Sequence, residues 1–203
     1  MSASNIPFKE INSEYLAGVD TVQYSELPPV KICPHILDIV ALEIRDALVL
    51  PAPFNYIREK INKHIMWSLS NKMIHEGRAI NKKFFGQNMW THEALLQYMH
   101  NKTQKGSNER GLELEHNNER IYYTDLLQAL DINQPNLIER IKEILSSSTF
   151  TVVTPHLHKR LPSSITDPND PFKRYRELMP TLYWIDWNKE SQWKISRIRK
   201  IIY

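Results

Sequence analysis

Residues 111–116 read Gly111-Leu112-Glu113-Leu114-Glu115-His116, and how this stretch folds decides the second half of the chain. Leu112 and Leu114 alternate with Glu113 and Glu115, the period-two pattern of a strand with one dry and one wet face. The strand therefore ends on a carboxylate next to an imidazole, a pair suited to acid–base or metal chemistry. Neighbouring strand residues point to opposite faces, so both can serve one reacting group only where the strand end twists or bulges. The plain alternative is that Glu113 and Glu115 form the wet face of an edge strand.

Towards the C-terminus, helical periodicity follows at about 121–131 and 136–146, divided by Asn133-Gln134-Pro135. Thr149-Phe150-Thr151-Val152-Val153-Thr154 is rich in β-branched residues and predicts a second strand. Thr154 then stands as an N-cap with Pro155 in the first helical position, which places His156 and His158 in the first turn of a short helix. Residues 167–171 predict a turn and 172–178 a short helix. From Leu182 the chain interleaves Trp184, Trp187 and Trp193 with Lys189, Lys194, Arg197, Arg199 and Lys200. Such a tail either buries its tryptophans as a C-terminal element or stacks on nucleic acid.

Towards the N-terminus, Ile36, Ile39, Val40, Ile44, Ala47 and Leu48 recur at helical spacing from Pro34, and Leu50-Pro51-Ala52-Pro53 ends that helix. Residues 54–85 carry Ile57, Ile61, Ile65, Leu69, Met73 and Ile80, mostly four apart, predicting one long helix or two stacked ones. Gly86 supplies a stop, Thr91 caps a helix over 94–100, and 101–110 is a loop. His64 and His75 share a helical face but are too far apart to hold one metal, and Cys33 reads as a small buried residue. The expected fold class is α+β and mainly helical, with a helical N-terminal half packed on a small ββα-metal-like core. Its parts are an N-terminal arm (1–33), a helical region (34–110) and the ββα-like region with its basic aromatic tail (111–203), joined as one compact unit.

Composition bounds the function classes. A chain of 203 residues suffices for one domain with its own core. Hydrophobic and charged fractions of 41% and 24% are those of an ordinary globular protein. The net charge of +3 and pI of about 8.9 would assist a nucleic-acid partner without requiring one. The single cysteine excludes an internal disulfide and a zinc site of several thiolates, and it fits a reducing compartment. The first residues lack the pattern of a signal peptide, and no stretch approaches the ~20 apolar residues of a membrane span. A cytoplasmic protein without a membrane partner is expected. Any metal would rest on nitrogen and oxygen, favouring magnesium or manganese over zinc.

Three stretches taken together carry a resemblance: Gly-Leu-Glu-Leu-Glu-His at 111–116, Thr-Val-Val-Thr before His-Leu-His-Lys-Arg-Leu at 151–161, and Asp170-Pro171-Phe172-Lys173-Arg174-Tyr175. Over about residues 90–178 the chain resembles the HNH-type (ββα-metal) endonuclease superfamily, in a divergent form without zinc-binding cysteines. The resemblance implies a metal-dependent endonuclease that hydrolyses phosphodiester bonds in DNA, ahead of RNA, in a restriction or phage-defence setting.

Phosphodiester hydrolysis needs a base for water and a divalent cation to stabilise charge on phosphate and leaving oxygen. In that assignment His116 is the general base, and Glu115 holds the metal with His158, or with His156. Lys159, Arg160 and Arg174 meet phosphates, joined by Arg197, Arg199 and Lys200 of the tail. Cutting both strands suits a homodimer. The competing expectation, from another class, is a non-catalytic nucleic-acid-binding or adaptor subunit working through the helices and the basic tail.

Overall fold

A computed structural model of the chain describes residues 5–28, 34–66, 84, 86–103, 110–162, 167, 169–188 and 194–203. Cys33, Trp67, Met73, His75, Lys189 and Trp193 lie outside the described residues, as does most of the helical stretch expected beyond residue 66.

The fold is α+β: helices packed on a mixed six-stranded sheet. The strands are β1 (Thr21–Gln23), β2 (Met89–Thr91), β3 (Glu113–His116), β4 (Phe150–Val153), β5 (Leu182–Asn188) and β6 (Lys194–Ile202), and they lie side by side in the order β1-β6-β5-β2-β4-β3. β1 with β6 and β2 with β4 are parallel, whereas β5 with β6, β2 with β5 and β3 with β4 are antiparallel. β3 is therefore an edge strand, and β2 sits inside the sheet.

The helices are α1 (Ser13–Ala17), α2 (Pro34–Leu48), α3 (Phe54–Glu59), α4 (His92–Thr103), α5 (Arg120–Gln128), α6 (Leu137–Ser146), α7 (Pro155–Arg160) and α8 (Lys173–Arg176). α2 begins on Pro34 as its spacing predicts and buries Val40, Ala41, Ile44 and Ala47. After α3 the chain continues as a π-helical turn over Lys60–Met66. α6 presents Leu137, Ile141 and Leu145 as a buried stripe at three- and four-residue spacing. Each such fully buried leucine or isoleucine contributes on the order of 2 kcal/mol.

The sheet has two covered faces. Consecutive strand residues divide between two clusters: Trp90, Val152, Tyr183 and Ile185 on one side, Met89, Val153, Leu182 and Trp184 on the other. α4 covers the first face through Ala94, Leu95, Tyr98 and Met99. Beside it, α2, α3, α5 and α6 close a further core that takes in Phe150 of β4. The second face is covered by Leu157 and Leu161 at α7 and by Phe172 and Tyr175 at α8.

Four strands were not expected. Over its described residues, 5–28, the N-terminal stretch read as an arm packs on the domain: β1 pairs with the end of β6, and the Ile6 amide donates to the Ile195 carbonyl at 3.0 Å. β2 is three residues long and buried on both faces, so it has no alternation to read. The tail expected from Leu182 is the β5–β6 hairpin, whose register shifts between Asp186 and Trp187. That irregularity brings Ile195 and Ile198 to one face, while Ile201 falls on the other, so the buried residues recur at three and hide the strand period.

Candidate functional site

The strand expected at 112–116 forms as β3, paired in unbroken antiparallel register with β4 through Glu113↔Val153 and His116↔Phe150. With no bulge, alternation holds to the strand end. Glu113 and Glu115 face α7 and α8, while Leu114 and His116 face the helical layer. The His116 ring meets its cross-strand partner Phe150 edge-on at 4.6 Å between centroids and is buried. Its imidazole is thereby separated by the sheet from the Glu115 carboxylate beside it in sequence.

Thr154 caps α7, its hydroxyl accepting from the Leu157 amide at 3.4 Å, and Pro155 occupies the first turn. This start aims His158 at β3 and leaves His156 exposed. His158 Nδ1 lies 2.5 Å from Glu115 Oε2, and its Nε2 lies 3.3 Å from Glu113 Oε2. The imidazole thus bridges the two carboxylates of the β3 edge. Its side chain is 43% exposed, against 9% for Glu115, so the cluster opens to solvent at His158 and Glu113 and closes at Glu115.

Arg174 closes it. The α8 guanidinium, 6% exposed, donates from Nη1 to Glu115 Oε1 at 2.6 Å and to the His116 carbonyl at 2.9 Å, and from Nε to the Pro162 carbonyl at 2.7 Å. The expected phosphate contact is replaced by a buried carboxylate contact. Behind the pair, the fully buried Asn117 accepts from the Thr151 hydroxyl at 2.7 Å and from the Tyr175 hydroxyl at 3.3 Å, which fastens the end of β3 to β4 and α8. Burial, with Glu115 adding to it, pushes the Tyr175 phenol well above its ordinary range.

Glu119 is a further member that the motif did not suggest. It stands at the N-cap position of α5 yet makes no side-chain cap bond. Burial and the nearby Glu115 raise its carboxyl above the usual carboxylate range, against an opposing pull from Arg174. Glu113, by contrast, was visible in the sequence as the residue two before Glu115 on the same strand face.

The remaining expected phosphate ligands divide into two groups. Lys159 and Arg160 are exposed at the end of α7, one and two residues beyond His158. Arg197, Arg199 and Lys200 lie on β6, four strand spacings or about 19 Å across the sheet from β3. Arg197 pairs with Asp20 and Arg199 with Asp186. The tail tryptophans among the described residues are held by the fold, Trp184 Nε1 donating to Asp186 and Trp187 Nε1 to the Gln87 carbonyl.

Among the described residues, no set of three or more His, Cys, Asp or Glu side chains is arranged to hold a metal ion. A smaller donor pair is present. His158 Nε2 and Glu113 Oε2 are separated by 3.3 Å, close to the roughly 3 Å between adjacent corners of an octahedral shell with bonds of about 2.1 Å. Glu115 stands behind His158 at Nδ1, where a carboxylate orients a metal-binding imidazole. These residues fit an ion that takes most of its ligands from phosphate and water, as magnesium does. Glu115, with both oxygens engaged by Arg174 and His158, is placed to orient and not to ligate.

Comparison of the chain with protein-family models, with curated proteins and with solved structures finds no match to any of them.

Proposed function

We propose that the chain is a metal-dependent endonuclease acting on DNA, with its site at the β3 edge where α7 and α8 meet it. The observation that carries this reading is His158, held at Nδ1 by a buried carboxylate and directed through Nε2 towards Glu113 at a solvent-open corner. An antiparallel strand pair followed directly by a capped helix supplies the scaffold, as the resemblance to the ββα-metal nucleases implies.

In this reading Glu113 and His158 hold the divalent ion, magnesium or manganese. The ion, when bound, stabilises negative charge developing on the phosphate. Glu115 keeps the proton of His158 on Nδ1, so the Nε2 lone pair faces outward. Arg174 balances the Glu115 charge inside the protein. Lys159 and Arg160 meet the phosphates that flank the scissile bond. His116, turned to Phe150, serves the packing of the strand end.

The second reading, a non-catalytic nucleic-acid-binding or adaptor subunit, is favoured by one feature: both Glu115 oxygens already have protein partners. The two part on one assay. Supercoiled plasmid is incubated with the protein and manganese or magnesium, beside His158→Ala, and binding to the same DNA is measured separately. Nicking that requires the metal and is lost in His158→Ala supports the endonuclease; DNA binding without metal-dependent nicking moves the assignment to the adaptor.

A further inference from the structure

Arg174 was expected on the sequence to reach a phosphate, yet it is buried and spends its fork of donors inside the protein. Its three acceptors come from two parts of the chain: the Glu115 carboxylate and the neighbouring His116 carbonyl at the end of β3, and the Pro162 carbonyl just beyond α7. A lysine, a single point of charge, could not span these positions at once. The guanidinium lies on one side of the Glu115 carboxylate and the His158 imidazole on the other, each engaging its own oxygen.

We infer that Arg174 is a positioning residue for His158, acting through Glu115. By fixing Oε1 it orients the carboxylate plane, so that Oε2 accepts from His158 Nδ1 and Nε2 is presented to Glu113 and the open side. The contact to Pro162 holds the end of α7 at the distance this requires. Without the guanidinium the carboxylate turns, and the imidazole loses the partner that selects between its two tautomers. The inference rests on the proposed site for its metal, but the Arg174–Glu115–His158 chain can be tested without any cleavage reaction.

The test uses the full chain, labelled with 15N in histidine, at about pH 8.5, where an ordinary imidazole is neutral. The wild type is expected to show His158 as a single tautomer protonated at Nδ1. In Arg174→Met the nitrogen shifts should report a mixture of tautomers, and the affinity for manganese alone should fall by about 10- to 100-fold. Should Arg174→Met not fold, Arg174→Gln, which keeps a donor in the same space without the charge, carries the same expectation. A folded variant of either kind with the wild-type tautomer and unchanged manganese affinity overturns the inference. A wild type that shows the single tautomer and binds manganese but does not nick DNA would instead sink the endonuclease reading and leave the role of Arg174 standing.

Discussion

The side chains of Glu115 and His116 lie on opposite faces of the sheet, one against Arg174 and His158, the other against Phe150. This assigns the two histidines of interest different fates. His158→Ala should reduce any metal-dependent nicking by about 100-fold or more, since it removes the proposed metal ligand that Glu115 holds in place. His116→Phe keeps a ring against Phe150 and should leave nicking unchanged, with at most a small change in melting temperature. Loss of nicking in a fully folded His116→Phe would mean that the strand-end imidazole swings into the site and that its packing role is secondary.

The Glu115–Arg174 pair is buried on both sides, 9% and 6% exposed, and should behave as buried ion pairs do. Glu115→Ala leaves a guanidinium without its carboxylate and is expected to cost about 3–5 kcal/mol in urea denaturation. The double variant Glu115→Leu with Arg174→Met removes both charges and should recover much of that loss. It will fall short by about 1 kcal/mol for each hydrogen bond lost at the His116 and Pro162 carbonyls. Equal losses in the single and double variants would show that the charge pairing itself contributes little.

Much of this region was legible in the sequence, for local reasons. The alternation of Leu112 and Leu114 with Glu113 and Glu115 reports a half-wet edge strand, and β3 is one. Thr154-Pro155 announces a helix start through capping chemistry that needs no tertiary partner, and α7 begins there. What stayed hidden depends on contacts distant in sequence. β2 is buried on both faces and too short for a pattern, and the irregular β5–β6 pairing breaks the period of β6. Arg174 looked like a phosphate ligand because a residue type shows its donors and not its burial. The separation of His116 from Glu115 followed from strand geometry, and only the absence of a bulge in the β3–β4 register decided it.

Lys159 and Arg160 are the exposed cations nearest His158 in the chain, whereas Arg197 and Arg199 are paired with Asp20 and Asp186 on the far side of the sheet. If DNA lies across the β3 edge, replacing both Lys159 and Arg160 by alanine should reduce the slope of log K against log salt by about 1.8, roughly 0.9 for each phosphate contact. Arg199→Ala should instead leave that slope unchanged and lower stability by on the order of 1 kcal/mol through its partly buried pair with Asp186. A slope that responds to Arg199 and ignores Lys159 and Arg160 would move the DNA-binding face to the hairpin.

Glu119 links the site to pH. Its carboxyl is raised above the usual range by burial first, with Glu115 adding to the effect and Arg174 opposing it. A raised carboxyl binds its proton more tightly in the folded than in the unfolded chain. Its contribution to stability is therefore fully present below the unfolded value of about 4.3 and is lost as pH rises through the folded one. At about pH 7, above the unfolded value, Glu119 thus works against folding, and Glu119→Gln, neutral at every pH, should be the more stable protein there. That advantage should shrink as pH falls through the carboxylate range, which urea denaturation at about pH 7 and about pH 4 would reveal. Glu119→Gln less stable than wild type near neutrality would show that the carboxylate has a favourable partner in the site, with Arg174 the first to examine by a double-mutant cycle.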